Sequence, residues 1–299
     1  MTVVGWSERA VSVERGGVLH GTLTRPDGDG PVPGVVIVAG SGPVDRDGNV
    51  PGLPNDSLKL LARGLAARGI ASIRADKRAI GASWWEGLRE ADLRFGDYVL
   101  DAVAWAGVLG REAGVEGVSL LGHSEGALVV TYAAGRAGAE RVVLVAGAGT
   151  PAGPIMERQF AEGGLPAELR EALRGILGRL AAGEAVADVP EALAPIFRPS
   201  VQPYLMSWLP IDPALALSRV GVPVLVVQGS TDIQVGVADA RILAAARTGA
   251  RLSVIEGMNH ILRSAPPDRA ANVATYRNAG LPLHPGLVPL VAGFLLGSG

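Results

Sequence analysis

The chain has 299 residues, 48% of them hydrophobic and 19% charged, enough for one large α/β domain carrying an insertion or for two small domains. Lysine plus arginine number 27 and aspartate plus glutamate 29, a net charge of −2 without the basic field that nucleic-acid binding needs. The absence of cysteine excludes disulfides, thiolate catalysis and cysteine-bound zinc, and the four histidines (His20, His123, His260, His284) form no His-x-x-x-His pair, so no metal site is expected.

Residues 19–24 read as a strand running into the turn Arg25-Pro26-Asp27-Gly28-Asp29-Gly30. Residues 35–39 are a short, purely apolar and largely β-branched run, as in a strand buried on both faces. Asn55 or Asp56 can cap the next helix, whose stripe is Leu58, Leu61 and Leu65 and which Gly69 ends. A strand over 70–74 and a helix over 98–109 follow, then a strand over 118–121, a helix from 124 to about 136, and a strand at Val142–Val145. This alternation predicts an α/β fold with a mostly parallel central sheet and helices on both faces.

The rhythm breaks between residues 151 and 217, where helical stretches, clearest over 168–180, are punctuated by Gly and Pro. Alternation resumes with a strand over 224–227, a helix over 237–247, a strand over 252–255 and a last helix over 287–296. The expected organisation is therefore one core in two parts, 1–150 and 218–299, with a helical insertion at 151–217. The N-terminal residues lack the basic start and apolar core of a signal peptide, and no apolar run reaches the roughly 20 residues of a membrane span. A cytoplasmic protein without membrane or nucleic-acid partners is expected.

Gly122-His123-Ser124-Glu125-Gly126 fits G-x-S-x-G. With 42 glycines in the chain the bare pattern carries little weight, but it sits where a predicted strand meets a helix. A nucleophile elbow needs that setting, because the sharp turn lifts the serine oxygen clear of the sheet. A serine hydroxyl is a poor nucleophile until a base takes its proton. His260 follows the strand at 252–255, and Asp232 follows the strand at 224–227, so the order Ser124, Asp232, His260 would gather all three at one sheet edge. Asp239 is a weaker acid candidate because it lies inside the following helix. His284 is a rival base, but it stands between Pro282 and Pro285 with no strand before it, and His123 reads as structural support. Acyl transfer also needs oxyanion donors. The amide of Glu125 is one, and the glycine-rich turn Ala39-Gly40-Ser41-Gly42-Pro43 supplies the other, from Ser41 or its neighbour Gly42.

With these segments placed, the chain resembles the α/β-hydrolase superfamily over nearly its whole length. Gly40-Ser41-Gly42-Pro43-Val44-Asp45-Arg46-Asp47-Gly48 together with the Ser124 motif resembles a bacterial carboxylesterase group carrying Gly-Ser-Gly-Pro-x-Asp-Arg-Asp-Gly where many relatives have His-Gly. Asp76-Lys77-Arg78-Ala79-Ile80-Gly81-Ala82-Ser83 is similar to the Asp-x-Arg-Gly-x-Gly-x-Ser loop of such proteins. It departs at Ala79, where Gly is usual, and at Ala82, where Lys is common; Ala127 also replaces the commoner second Gly after the nucleophile motif. The resemblance implies the α/β-hydrolase fold, a carboxylesterase-like activity and a helical cap over the site; the triad chemistry itself calls for no cofactor, and the apolar side chains of the insertion favour small to medium uncharged esters.

Met156, Phe160, Phe197, Tyr204, Met206 and Trp208 from the insertion, with Trp84 and Trp85 from a loop after a strand, are candidates for an apolar substrate pocket. Asp45, Arg46 and Asp47 are read as pairing with one another to hold their loop. A peptidase or amidase, or a perhydrolase, would use the same triad, and a non-catalytic binding protein on this fold would be expected to lack one of its members. A dinucleotide-binding protein is excluded because no G-x-G-x-x-G follows the early strands.

Overall fold

The computed structural model describes residues 5–298. Its strands are β1 (Trp6–Glu14), β2 (Val18–Pro26), β3 (Val32–Val38), β4 (Ala71–Ala75), β5 (Val115–His123), β6 (Val142–Val145), β7 (Val224–Gly229) and β8 (Arg251–Ile255). They form one sheet in the order β1-β2-β4-β3-β5-β6-β7-β8. β2 runs antiparallel to β1 and to β4, and every other pairing is parallel.

The apolar runs explain the central strands. Alternate side chains of one strand belong to opposite cores: Val36, Leu120, Val142, Leu144, Val224 and Val226 to one, and Val35, Ile37, Leu121, Val143, Val145, Leu225 and Val227 to the other. The second face is closed by α1 (Ser57–Ala66) through Leu58, Leu61 and Leu65, and by α11 (Leu287–Leu295) through Leu287, Val291 and Phe294. Each leucine withdrawn from water there contributes roughly 2 kcal/mol. The first face is closed by α2 (Phe95–Gly110), α3 (Glu125–Ala133) and α9 (Val237–Ala246).

α1 begins where expected, but Asp56 does not cap it through its side chain. Asn55 Oδ1 accepts the Ser57 amide at 2.9 Å, and the Asp47 carbonyl accepts the Leu58 and Lys59 amides. The orphan donors of the first turn are thus satisfied partly by the loop after β3. Gly69, at φ +84°, ends the helix, with the Ile70 amide returning to the Leu65 carbonyl.

Between β6 and β7 the chain forms α4 (Ala152–Glu162), α5 (Ala167–Ala181), α6 (Ala194–Phe197), α7 (Gln202–Trp208) and α8 (Pro213–Leu217), with no strand. α8 packs on α3 and α9, while α4 and α7 both pack on α5. Gln202 ties this region together: its amide exchanges two hydrogen bonds with the Val186 backbone and donates a third to the Phe197 carbonyl.

Two elements lie outside the expected set. β1 is an edge strand with no fully buried residue: only Val11 and Val13 turn partly inward against the core, too short an alternation to mark a strand. Glu8 anchors it, pairing with Arg63 at 2.7 Å and Arg74 at 2.9 Å. α10 (Arg269–Thr275) is one short, mostly exposed helix that buries Asn272. No helix among the described residues is long and apolar enough to cross a membrane.

Candidate active site

The parallel strands place their C-terminal ends on one edge of the sheet, and the site is built there. β5 ends at His123 and α3 begins at Glu125, leaving Ser124 at φ 55°, ψ −120°, a conformation unfavourable for an L-residue. The turn is held by the Ser124 amide donating to the Val145 carbonyl at 2.9 Å. Its flanking glycines are obligatory. A Cβ on Gly122 would lie 2.0 Å from the Gly126 carbonyl oxygen, and one on Gly126 would lie 2.3 Å from that of Val38. Gly40 packs against the serine itself, since a Cβ there would stand 3.0 Å from Ser124 Cβ.

His260 and Asp232 meet at this edge. His260 Nδ1 is 2.8 Å from Asp232 Oδ2, and both side chains are buried. Asp232 Oδ1 accepts the amides of Gln234 and Val235 at 2.8 and 3.0 Å, while Gln228 Nε2 donates to Oδ2 at 3.0 Å. Burial alone would raise the Asp232 carboxyl, but the His260 ring and these amides outweigh it and hold the group below its ordinary value. With Nδ1 engaged by a carboxylate, the imidazole presents Nε2 as an acceptor. No described residue hydrogen-bonds His260 Nε2 or Ser124 Oγ.

The two loops are fastened to each other. His123 Nε2 donates to the His260 carbonyl at 2.8 Å, with the two rings 4.9 Å apart. Burial pushes the His123 pKa down to about 4, and the adjacent His260 adds to this, so the ring stays neutral. From α10, Asn272 donates to the Thr231 carbonyl at 2.7 Å and accepts from Asn259 at 3.2 Å, bridging the Asp232 and His260 loops. Asp239 is not at the histidine: it accepts Arg158 at 2.9 Å and the amides of Gly149 and Gly236. His284 accepts the Gly286 amide through Nδ1 and takes no part.

Ser124 opens into a cavity of about 530 Å³ whose wall includes Ser41, Gly42 and Glu125. Met156, Phe160, Tyr204 and Trp208 line it, together with Leu128, Ile155 and Leu205. Trp84, Trp85, Met206 and Phe197 do not. Trp84 is 63% exposed, Trp85 stacks under the Arg78 guanidinium against Gly17, and Met206 and Phe197 pack into the core. Neither Ser41 nor Gly42 spends its amide on a backbone carbonyl of the described residues.

The charged groups of the wall are balanced. Arg78 pairs with Asp101 at 2.6 Å, Glu90 with Arg198, and Lys77 faces Glu125, whose Oε1 accepts the Tyr204 hydroxyl. Burial raises Glu125 and lowers Lys77, each against the pull of the other. Lys77 was not singled out by motif reading. Its place directly after β4, at the same strand edge, is the signal that marks it.

Asp45, Arg46 and Asp47 hold their loop, but through partners on other elements more than through one another. Arg46 pairs with Asp76 at 2.5 Å, Asp47 accepts Arg74 Nε at 2.8 Å, and Asp45 accepts the Asp47 and Asn49 amides at 2.9 Å. Ala79 adopts φ +64°, the left-handed conformation that the glycine usual at this place would take without strain. Among the described residues no group of three or more His, Asp or Glu side chains is placed to hold a metal ion.

Comparison with known proteins accords with this architecture. The chain is 32% identical over 253 residues to Esterase EstD of Thermotoga maritima, an alignment covering 82% of this chain and 58% of that protein. It therefore spans less than two thirds of that relative's length. Among solved structures, Est1E from Butyrivibrio proteoclasticus superposes with a TM-score of 0.59 at 16% identity over 97% of this chain and 98% of that one. A dienelactone hydrolase from Anabaena variabilis superposes with a TM-score of 0.57 at 18% identity over 98% of both. Identities this low speak to the fold alone. The alpha/beta hydrolase family matches residues 21–275, and with strand order, elbow and strand-edge site already in place, the chain belongs to that family.

Proposed function

We propose that the protein is a serine esterase cleaving small to medium uncharged carboxylic esters through an acyl-enzyme. The observation that carries this is the 2.8 Å bond from His260 Nδ1 to Asp232 on the sheet edge that also holds the Ser124 elbow. Ser124 Oγ attacks the ester carbonyl as His260 Nε2 takes its proton, and Asp232 keeps the imidazole in the reactive tautomer. The amides of Glu125 and Ser41 receive the oxyanion. His260 then protonates the departing alcohol, and water, deprotonated by the same nitrogen, releases the acid and regenerates Ser124.

The substrate class follows from the cavity. About 530 Å³ is within the range of small-ligand sites, and its apolar side chains suit acyl or alcohol groups of modest size. Arg78 and Glu90 of its wall are already paired, and Lys77 and Glu125 offset one another's charge without a direct bond, so a charged ester finds no unbalanced partner there. The helices of 151–217 serve as a cap, contributing Met156, Phe160, Tyr204 and Trp208 to the wall.

The test is hydrolysis of p-nitrophenyl esters of graded acyl length, with Ser124→Ala as control. Turnover favouring short and medium chains and abolished by Ser124→Ala is expected. An unaltered rate in that variant overturns the reading.

A further inference from the structure

Lys77 points into the site from the end of β4 and does not face an acid at bonding distance. Its Nζ donates instead to two backbone carbonyls of the loop after β3, to Gly40 at 2.5 Å and Gly42 at 2.7 Å. These carbonyls bracket Ser41. In a trans peptide the C=O and the following N–H point in opposite directions, so fixing the Gly40 oxygen also fixes the Ser41 N–H. The constraint matters at this place because Gly40, lacking a Cβ, can rotate its peptide with little steric resistance. Gly40 cannot gain a side chain to stiffen it, for Ser124 Cβ occupies that space. Two carbonyl dipoles converging on one point also repel each other unless a cation lies between them.

Nothing else described holds that peptide. The loop's own hydrogen bonds run from Val44 back to the Gly42 carbonyl and onward from Asp45 to Asn49, leaving the Gly40 carbonyl to Lys77. Lys77 is itself seated firmly, with the Tyr98 ring 5.6 Å away and the Asp76 carboxylate closing the turn beneath it through the Ala82 amide.

We propose that Lys77 is the positioning residue of the oxyanion site: its ammonium clamps the Gly40 and Gly42 carbonyls, aims the Ser41 amide at the reacting carbonyl, and places a positive charge behind it. The proposal rests on the serine-esterase reading above. It differs from a plain structural role in requiring the charge, and from a countercharge role in not requiring Glu125.

The cysteine-free chain permits a clean test. Lys77→Cys introduces a unique thiol on the cavity wall. Its thiolate displaces bromide from 2-bromoethylamine to give a side chain of lysine's length and charge, whereas methyl methanethiosulfonate gives a neutral one. Loss of one oxyanion donor in a serine hydrolase costs about 10²–10³ in turnover, so misaiming one should cost about 10- to 100-fold in kcat. KM should change less than threefold. Aminoethylation should restore most of the activity, the neutral adduct should not, and the unmodified wild type should be indifferent to both reagents. Inhibition by an alkyl boronic acid, whose serine adduct places an oxygen in the oxyanion site, should weaken in step with kcat/KM.

Wild-type turnover by unmodified Lys77→Cys, equal rescue by the neutral adduct, or rescue by adding Glu125→Gln would each overturn the proposal. Should the cysteine variant fail to fold, Lys77→Gln, which can donate to only part of the clamp, should retain KM and lose kcat; unchanged kcat would again overturn it. Failure of the underlying reading is seen separately, as activity surviving Ser124→Ala.

Discussion

Replacing Asp232 by asparagine changes one atom and tests the assigned site most sharply. The carboxylate is surrounded by donors: the Gln234 and Val235 amides on Oδ1, and His260 and Gln228 on Oδ2. An asparagine amide can keep its oxygen toward the two backbone donors only by turning its NH2 toward His260 and Gln228. That NH2 would donate to His260 Nδ1 and hold the imidazole in the tautomer with the proton on Nε2, which cannot accept the serine proton. Gln228 cannot simply turn over to accommodate it, because its NH2 also donates to the Val235 carbonyl at 2.9 Å.

The expected loss in kcat follows from this inversion. The equivalent change in serine-protease triads costs about 10⁴-fold, or about 5 kcal/mol of transition-state stabilisation. Stability should fall much less, by about 1–3 kcal/mol, because the lost hydrogen bonds are replaced by poorer ones rather than by none. The assay is kcat on p-nitrophenyl butyrate alongside thermal unfolding, with imidazole ¹⁵N shifts reporting the His260 tautomer among only four histidines. A folded Asp232→Asn enzyme within about tenfold of wild type would show that Asp232 does not set the tautomer.

Three further outcomes are expected. His123 has a folded pKa of about 4 against an ordinary 6.5, so on acidification the unfolded chain takes up the proton first and stability falls between those values, by about 3 kcal/mol; urea unfolding across this range should show the slope in wild type and not in His123→Gln. Gly126→Ala drives a Cβ to 2.3 Å from the Val38 oxygen, against backbone that cannot yield, and should cost at least about 3 kcal/mol or abolish soluble expression; a stable, active variant would contradict the elbow geometry. Ala79→Gly removes a left-handed alanine worth about 1–2 kcal/mol of strain while adding unfolded-state freedom of somewhat less, so its melting temperature should be unchanged or slightly higher; a clear drop would argue against the φ of +64°.

The fold was readable wherever burial imposes a pattern. Val142–Val145 is buried along its whole length and both its ends coincide with the apolar run, while Leu58, Leu61 and Leu65 form the stripe that meets α11. β1 escaped because its pattern is faint: only Val11 and Val13 pack partly against the core, and the strand is otherwise held by pairing with β2 and by the ion pairs of Glu8, neither of which leaves a periodic trace. α10 escaped for a related reason. It is a single short helix whose buried residue, Asn272, is polar and serves the loops at Thr231 and Asn259 rather than a core.

The site divides along the same line. Residues that follow their own strand could be placed by topology, because parallel strands deliver their C-terminal loops to one edge. Ser124 and the bonded pair Asp232–His260 stand there on that account. Lining residues obey no such rule. Tyr204 and Trp208 reach the cavity while Met206, between them on the same short helix, turns into the packing, since helical neighbours one and two apart face different directions. Composition alone could not separate those three. Lys77 occupies a middle position: its strand-end placement was visible, but its function depends on two carbonyl oxygens, which every residue possesses. A side chain that acts through backbone atoms leaves no partner in the sequence to pair it with, and only the geometry of Gly40 and Gly42 distinguishes it from a surface lysine.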